Sequence, residues 1–182
     1  MSRISIPPVA SATGAVAELY SRIRKTTGGL PDLYAIVGAL QPQLLGAVLD
    51  AEAVLAAGSL SRQDIETVKL AVSAAAECDY CLAAHAMLGR LAGLSPETLK
   101  SIRAGRPTGD AKRDVLASFA RSLVQTSGTI PGEAFTAIKN AGYTDRQLAE
   151  ISLAIALTVF TNVFNSINDT GIDFPPVNWS EA

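Results

Sequence analysis

Residues 61–85 read SRQDIETVKLAVSAAAECDYCLAAH, and this stretch decides both the fold class and where any chemistry can lie. Ser61 followed by Asp64 is typical of a helix start, because the hydroxyl can accept a hydrogen bond from a free backbone amide and the acid is favoured at the positive helix end. The residues that follow are apolar on almost every face, as in a buried helix. The pattern predicts a helix that begins at Arg62 and leads directly into Cys78.

The rest of the chain has the same helical character. Of its 182 residues, 48% are apolar and only 5% aromatic, a composition of small side chains that suits closely packed helices. Strand alternation is absent from the sequence, so we predict an all-α fold. Further helices are expected over residues 13–25, 31–40, 42–58, through His85 to about 91, from 96, and over 111–126, 131–140 and 144–168.

The predicted organisation is a single domain, because this length is sufficient for one core. Residues 1–60 form an N-terminal helical region packed on the core, residues 61–170 form the core itself, and residues 171–182 form an irregular tail. Trp179 and Phe174 in that tail suggest an arm docked on a neighbouring subunit, although a frayed terminus is equally compatible.

Charge and hydropathy exclude several classes of partner. With 15 basic and 17 acidic residues the net charge is -2, and no basic run exceeds Arg22 to Lys25, so we expect no nucleic acid partner. The first eight residues lack the apolar core of a signal peptide, and the longest apolar stretch, 151–164, is too short to span a bilayer. We therefore expect no membrane association and a cytoplasmic location.

Chemistry is concentrated in one window, because the only two cysteines and the only histidine lie between Cys78 and His85. A dithiol at this spacing can close reversibly to a disulfide. If Asp79 caps the helix, Cys81 lies in the first turn, where free backbone amides favour a thiolate. The imidazole one turn beyond Cys81 can accept the thiol proton as a general base.

These residues match a known family. The segment Glu66-x11-Cys78-x2-Cys81-x3-His85, with Tyr80 before the second cysteine, resembles the AhpD-like alkylhydroperoxidases of the carboxymuconolactone decarboxylase superfamily. The likeness covers most of the chain. Three further segments resemble the peroxidase-related branch, namely Gly-Leu-Pro-Asp-Leu at 29–33, Asn-Val-Phe-Asn at 162–165 and Asp-Phe-Pro at 173–175.

The resemblance implies a helical bundle that assembles as a homo-oligomer, a trimer or hexamer, and reduces small hydroperoxides. Cys81 would attack the peroxide and become a sulfenic acid, and Cys78 would resolve it as a disulfide. His85 and Glu66 would form the proton relay, and a lipoyl-bearing protein or another dithiol would reduce the disulfide. The resemblance implies no metal, flavin or haem.

Two features of the sequence complicate the relay. The best-known family members have a second histidine where this chain has Tyr80, so the relay is shorter or uses a phenol. On one straight helix Glu66 would lie about 22 Å from Cys81, at about 1.5 Å per residue. The relay therefore requires a chain reversal between about residues 76 and 79, or a different carboxylate. Residues 74–76 contain no helix breaker, whereas Asp79 as an N-cap would favour the reversal.

Other interpretations of the same residues stay open. Cys78, Cys81 and His85, with Glu66 as a fourth ligand, could hold a metal ion, or the cysteines could simply be buried apolar residues. A different class of function is a redox or metal sensor without turnover, which would use the same dithiol to change its assembly. A lactone decarboxylase is a further alternative, supported only by the superfamily name. Separately, Asn162, Asn165 and Asn168 recur at helical spacing and could line a polar cavity, a subunit contact or an exposed helix end.

Overall fold

The chain is helical throughout the part that the computed structural model describes, residues 2–175, and no strand occurs within it. The all-α prediction is confirmed. A short 3-10 turn at Val9–Ser11 precedes the helices. The α-helices are α1 Gly14–Thr27, α2 Asp32–Leu40, α3 Pro42–Ala56, α4 Arg62–Ala75, α5 Asp79–Leu91, α6 Pro96–Ala104, α7 Ala111–Gln125, α8 Gly132–Asn140 and α9 Asp145–Asn168. Residues 176–182 of the predicted tail, with Trp179, lie outside the described residues.

Helix α4 is the central element of the core. It begins at Arg62 as predicted, with Ser61 as the N-cap whose hydroxyl accepts the Asp64 amide at 3.0 Å. It packs against α5, α6, α7 and α9. Val68 and Leu70, which point in different directions, are both fully buried, so the helix is covered on most sides. The side chains of α4 therefore face several neighbouring helices at once.

The N-terminal helices pack tightly on one another and on the cysteines. Tyr20 of α1 and Leu45 of α3 belong to the same buried cluster as Cys78 and Cys81. A Cβ atom on Gly38 of α2 would lie 2.7 Å from both the Tyr20 ring and the Leu45 side chain, closer than packed atoms tolerate. Glycine at this position lets α2 pack closely on α1 and α3, next to the cluster that contains the two cysteines.

Helix α9 is longer than the apolar stretch on which the sequence expectation rested. Its 24 residues are sufficient, by length and composition alone, to cross a membrane, a test that the core helices of soluble proteins also pass. In this fold its inward face packs on α4 and carries Ile151, Ala154 and Leu157 in the apolar core. Further along, the same face is polar and approaches the cysteines.

Candidate active site

The turn between α4 and α5 creates the site. Glu77 has a left-handed backbone with φ 52°, the amide of Cys78 donates to the Ser73 carbonyl at 3.1 Å, and the amide of Glu77 donates to Ala74 at 3.3 Å. Two such reverse hydrogen bonds around a left-handed residue form a Schellman helix ending. The chain reversal required between residues 76 and 79 is therefore present, although it uses neither glycine nor proline. It folds α5 back against α4.

The cap of α5 differs from the prediction. Asp79 was expected to be the N-cap, but it is the first helical residue, and Cys78 is the cap. The reason is that the Schellman turn ends at Cys78, whose sulfur takes the place of a capping oxygen and accepts the Cys81 amide at 3.4 Å. Cys81 nevertheless lies in the first turn of the helix, as expected.

The two cysteines form a close, buried and unbridged pair. Their Sγ atoms are 2.6 Å apart, and the residues are 5% and 2% exposed. The hydrogen bond with the Cys81 thiol is the main cause that lowers the pKa of Cys78; burial opposes it, and the amides of Cys81 and Tyr80 lower the pKa further. The same hydrogen bond, followed by burial, raises the pKa of Cys81. Of the two thiols, Cys78 is therefore the one that loses a proton more readily.

His85 and Glu66 meet across the α4–α5 interface. The Nδ1 atom of His85 is 2.9 Å from Oε2 of Glu66, and the two side chains are only 12% and 13% exposed. Because a carboxylate only accepts, this hydrogen bond places a proton on Nδ1 and leaves Nε2 available for proton exchange. The chain reversal thus brings Glu66 of α4 beside α5 and into contact with His85. The catalytic roles of these four residues stay predictions.

The other side of Cys81 faces a polar stripe on α9. The Nδ2 amide of Asn165 donates to Cys81 Sγ at 3.3 Å, and the Thr161 hydroxyl also lowers the pKa of this thiol. Asn162 accepts from the Ser73 hydroxyl at 3.4 Å, whereas Asn168 binds Ile4 and Thr170. All three asparagines are buried, so the interpretation of an exposed helix end is wrong.

Tyr80 points away from the relay. Its hydroxyl accepts the Leu33 amide at 3.2 Å, and its ring packs edge-on against Phe174 at 5.2 Å. Burial is the main cause that raises the pKa of the Tyr80 phenol, and Asp173 raises it further, whereas the hydrogen bond from the Leu33 amide lowers it. Asp173 also accepts the Asp32 amide at 2.7 Å. Tyr80 therefore ties α2 and the segment before residue 176 to α5, and it does not replace the missing histidine.

Sequence reasoning missed one phenol near the dithiol. Tyr34 packs against two buried apolar clusters, the core around α4 and α9 and the cluster that contains both cysteines. Burial raises the pKa of its hydroxyl, and electrostatic interactions with Glu52, Glu66 and Cys81 raise it further, so the phenol lies within electrostatic reach of all three. No spacing rule could have indicated this residue, because it comes from α2 and reaches the site only through tertiary packing.

The residues of the site offer no metal centre. Within residues 2–175 no group of three or more Cys, His, Asp and Glu side chains converges on a point where an ion could be held. His85 is directed to Glu66, so the ligand set proposed from the sequence is not assembled. The geometry favours thiol and proton chemistry over the metal-site alternative.

Known proteins resemble the part of the chain that holds this arrangement. Residues 42–117 match the family model of the carboxymuconolactone decarboxylase family, a range that includes Glu66, both cysteines and His85. A curated alkyl hydroperoxide reductase of Mycobacterium tuberculosis is 34% identical over 102 residues, which are 55% of this chain. The chain spans only 29% of the length of that relative.

Solved structures share the fold over almost the whole chain. An AhpD-core, peroxidase-related protein from Ralstonia eutropha JMP134 superposes with a TM-score of 0.83 and 20% identity, over 94% of this chain and 92% of its own. The debrominase Bmp8 in complex with 2,3,4-tribromopyrrole superposes with a TM-score of 0.81 and 17% identity, over 95% of this chain and 94% of its own. At these identities the likeness establishes the fold. Residues 42–117 therefore resemble a carboxymuconolactone decarboxylase family domain, and the chain has the AhpD-like fold that its Cys-x2-Cys-x3-His motif predicts.

Proposed function

We propose that the protein is a thiol-dependent peroxidase that reduces small hydroperoxides through a Cys78/Cys81 dithiol-disulfide cycle. The observation that carries the proposal is the 2.9 Å contact between His85 of α5 and Glu66 of α4, with two thiols 2.6 Å apart at the start of α5. A carboxylate that orients an imidazole near a thiol is the usual arrangement for activating a nucleophile. The low exposure of both sulfurs favours small peroxides over bulky ones.

The reaction begins when Cys81 loses its proton. Its raised pKa means that a base has to accept this proton, and we assign that role to His85, whose Nδ1 is already bound to Glu66. The Cys81 thiolate then attacks the terminal peroxide oxygen. A sulfur-oxygen bond forms, the oxygen-oxygen bond breaks, and the leaving alkoxide takes the proton back from His85 as an alcohol.

Cys78 completes the oxidation. Its thiolate attacks the Cys81 sulfenic acid, a disulfide forms, and hydroxide leaves and is protonated to water. The lowered pKa of Cys78 suits this step, because it favours the thiolate that attacks the sulfenic acid. A small or lipoyl-type dithiol then returns two electrons by thiol-disulfide exchange, and the cycle can repeat.

We further propose a homo-oligomer in the cytoplasm, a trimer or hexamer by family resemblance. The surface that supports assembly is the outer face of α9, where Val159, Val163 and Ile167 are 36%, 53% and 59% exposed at successive helical turns. An apolar stripe of this kind is typical of a face covered by a partner. Light scattering on Val163→Asp and wild type tests this, and an unchanged mass would contradict it.

The first test is hydroperoxide consumption with dihydrolipoamide as donor. We expect turnover by the wild type and its loss in both Cys81→Ser and Cys78→Ser. Exposed Glu133→Gln is the control and should behave as wild type, because it lies on α8 away from the site. Oxidation of the pair without repeated turnover would favour the redox-sensor alternative, and turnover that survives both cysteine variants would exclude the dithiol mechanism.

A further inference from the structure

The polar stripe of α9 has unused hydrogen-bonding capacity beside the thiols. Asn165 is 4% exposed and Asn162 is 3% exposed. Within residues 2–175, Oδ1 of Asn165 and Nδ2 of Asn162 are buried without a hydrogen-bond partner. A buried amide group without a partner costs free energy, so its persistence in a tightly packed region needs an explanation.

The remaining atoms of the two amides are already committed, which fixes their orientation. Nδ2 of Asn165 donates to Cys81 Sγ, and Oδ1 of Asn162 faces the Ser73 hydroxyl. The orientation of Asn165 is also chemically consistent, because an amide nitrogen only donates and a cysteine sulfur can accept. The acceptor Oδ1 of Asn165 and the donor Nδ2 of Asn162 remain, one helical turn apart.

We propose that Asn165 and Asn162 form the polar half of the substrate site and bind the hydroxyl end of a hydroperoxide against Cys81. The inference rests on the proposed function and extends it to substrate choice. The terminal O–H of a hydroperoxide donates to Asn165 Oδ1 and its oxygens accept from Asn162 Nδ2. After the oxygen-oxygen bond breaks, the sulfenic acid on Cys81 carries the same hydroxyl and keeps the same acceptor until Cys78 displaces it.

This complementarity separates classes of substrate that a dithiol could reduce. A disulfide or a carbon-halogen bond offers no hydroxyl to Asn165, so it would leave the open acceptor without a partner. A site built to hydrogen-bond a hydroxyl discriminates strongly against analogues that lack one. The stripe therefore favours hydroperoxides over disulfides as substrates of the same cysteine pair.

The test compares two substrates in three variants. Asn165→Ala and Asn162→Ala remove the proposed contacts, whereas Asn168→Ala is the matched control, a buried asparagine of the same stripe that binds Ile4 and Thr170 and not the sulfurs. Each variant is assayed with tert-butyl hydroperoxide and with hydroxyethyl disulfide, after circular dichroism has verified its fold.

We expect kcat/KM for the hydroperoxide to fall about 10- to 100-fold in Asn165→Ala and less in Asn162→Ala. In these two variants kcat/KM for the disulfide should change by less than about threefold. In Asn168→Ala, kcat/KM for the two substrates should change by the same factor. Equal losses for both substrates in Asn165→Ala, or no loss for either, would overturn the proposal.

A second measurement distinguishes this proposal from the function on which it rests. In the Cys78→Ser background, the rate of Cys81 alkylation by iodoacetamide is followed against pH. Asn165→Ala should shift this profile to higher pH, because the amide that stabilises the thiolate is lost. An unshifted profile would refute the Asn165 contact even if peroxide turnover is normal, whereas a shifted profile with no wild-type turnover would refute the proposed function alone.

Discussion

The two thiols lie 2.6 Å apart, yet their surroundings differ in kind. On the side of Cys78 the polar groups are satisfied: its sulfur caps α5, and Tyr80, in the same buried cluster, binds the Leu33 amide and packs on Phe174. The side of Cys81 is only partly satisfied, with two buried amide atoms of the α9 stripe unpartnered within residues 2–175. The difference supports the proposal that the Cys81 side receives the substrate, whereas the Cys78 side contributes to the stability of the fold.

The largest effect is expected when the proton relay of His85 and Glu66, on the Cys81 side, is disabled. Glu66→Gln should lower peroxide turnover by about 100-fold or more, because a neutral amide neither fixes the His85 tautomer nor stabilises its protonated form. His85→Gln should have at least the same effect. The measurement is kcat/KM at neutral pH, with Glu133→Gln as the exposed control, and values within threefold of wild type for Glu66→Gln would rule out the relay.

The pKa difference between the thiols gives a second prediction. In the wild type the hydrogen bond to Cys78 is the largest cause that raises the pKa of Cys81, and the charge on Cys78 adds to it. Cys78→Ser removes that charge, so the pKa of Cys81 should fall towards its ordinary value while burial still holds it above. The alkylation profile of Cys81 should therefore move to lower pH than in the wild type.

This second prediction is checked by mass spectrometry of iodoacetamide-labelled peptides across a pH series. A profile that moves to higher pH in Cys78→Ser would mean that Cys78 lowers the pKa of Cys81, the opposite of the assignment. The reciprocal variant supplies the comparison, because Cys78 in Cys81→Ser should react at lower pH than Cys81 does in Cys78→Ser.

The smallest effect is expected on the Cys78 side. Tyr80→Phe removes the acceptor of the Leu33 amide, and it should lower the free energy of unfolding by about 1 kcal/mol. Peroxide turnover should stay within about threefold of wild type, because the hydroxyl is directed to α2 and Asp173. Chemical denaturation and steady-state kinetics provide the two readouts. A large loss of peroxide turnover with an unchanged free energy of unfolding would indicate that Tyr80 belongs to the relay.

The sequence was sufficient to predict most of the helices. Apolar periodicity and the Ser61 and Thr144 starts located α4 and α9 within a residue or two, because capping is a local property. The α4–α5 reversal was harder, since its left-handed residue is Glu77 and nothing in residues 74–77 marks a turn. The cap at Cys78 was missed for a related reason, because aspartate is a far commoner N-cap than cysteine.

The site was only half predictable. Cys78, Cys81 and His85 are adjacent in sequence and were recognised together, and Glu66 followed from the family resemblance. Tyr34 and Asn165 come from α2 and α9, and only tertiary packing brings them to Cys81. A regular asparagine spacing was visible on α9, but periodicity alone does not reveal whether a polar stripe faces solvent or a buried thiol.

The most direct test of the central claim is to identify the sulfur that peroxide oxidises first. One equivalent of tert-butyl hydroperoxide is added to the reduced wild type, Cys78→Ser and Cys81→Ser, each with and without dimedone, followed by intact-mass and peptide analysis. We predict that the wild type loses two hydrogen atoms as the disulfide forms, and that Cys78→Ser gains dimedone on Cys81. Rapid labelling of Cys78 in Cys81→Ser, with Cys78→Ser left unlabelled, would contradict the account and make Cys78 the attacking thiol.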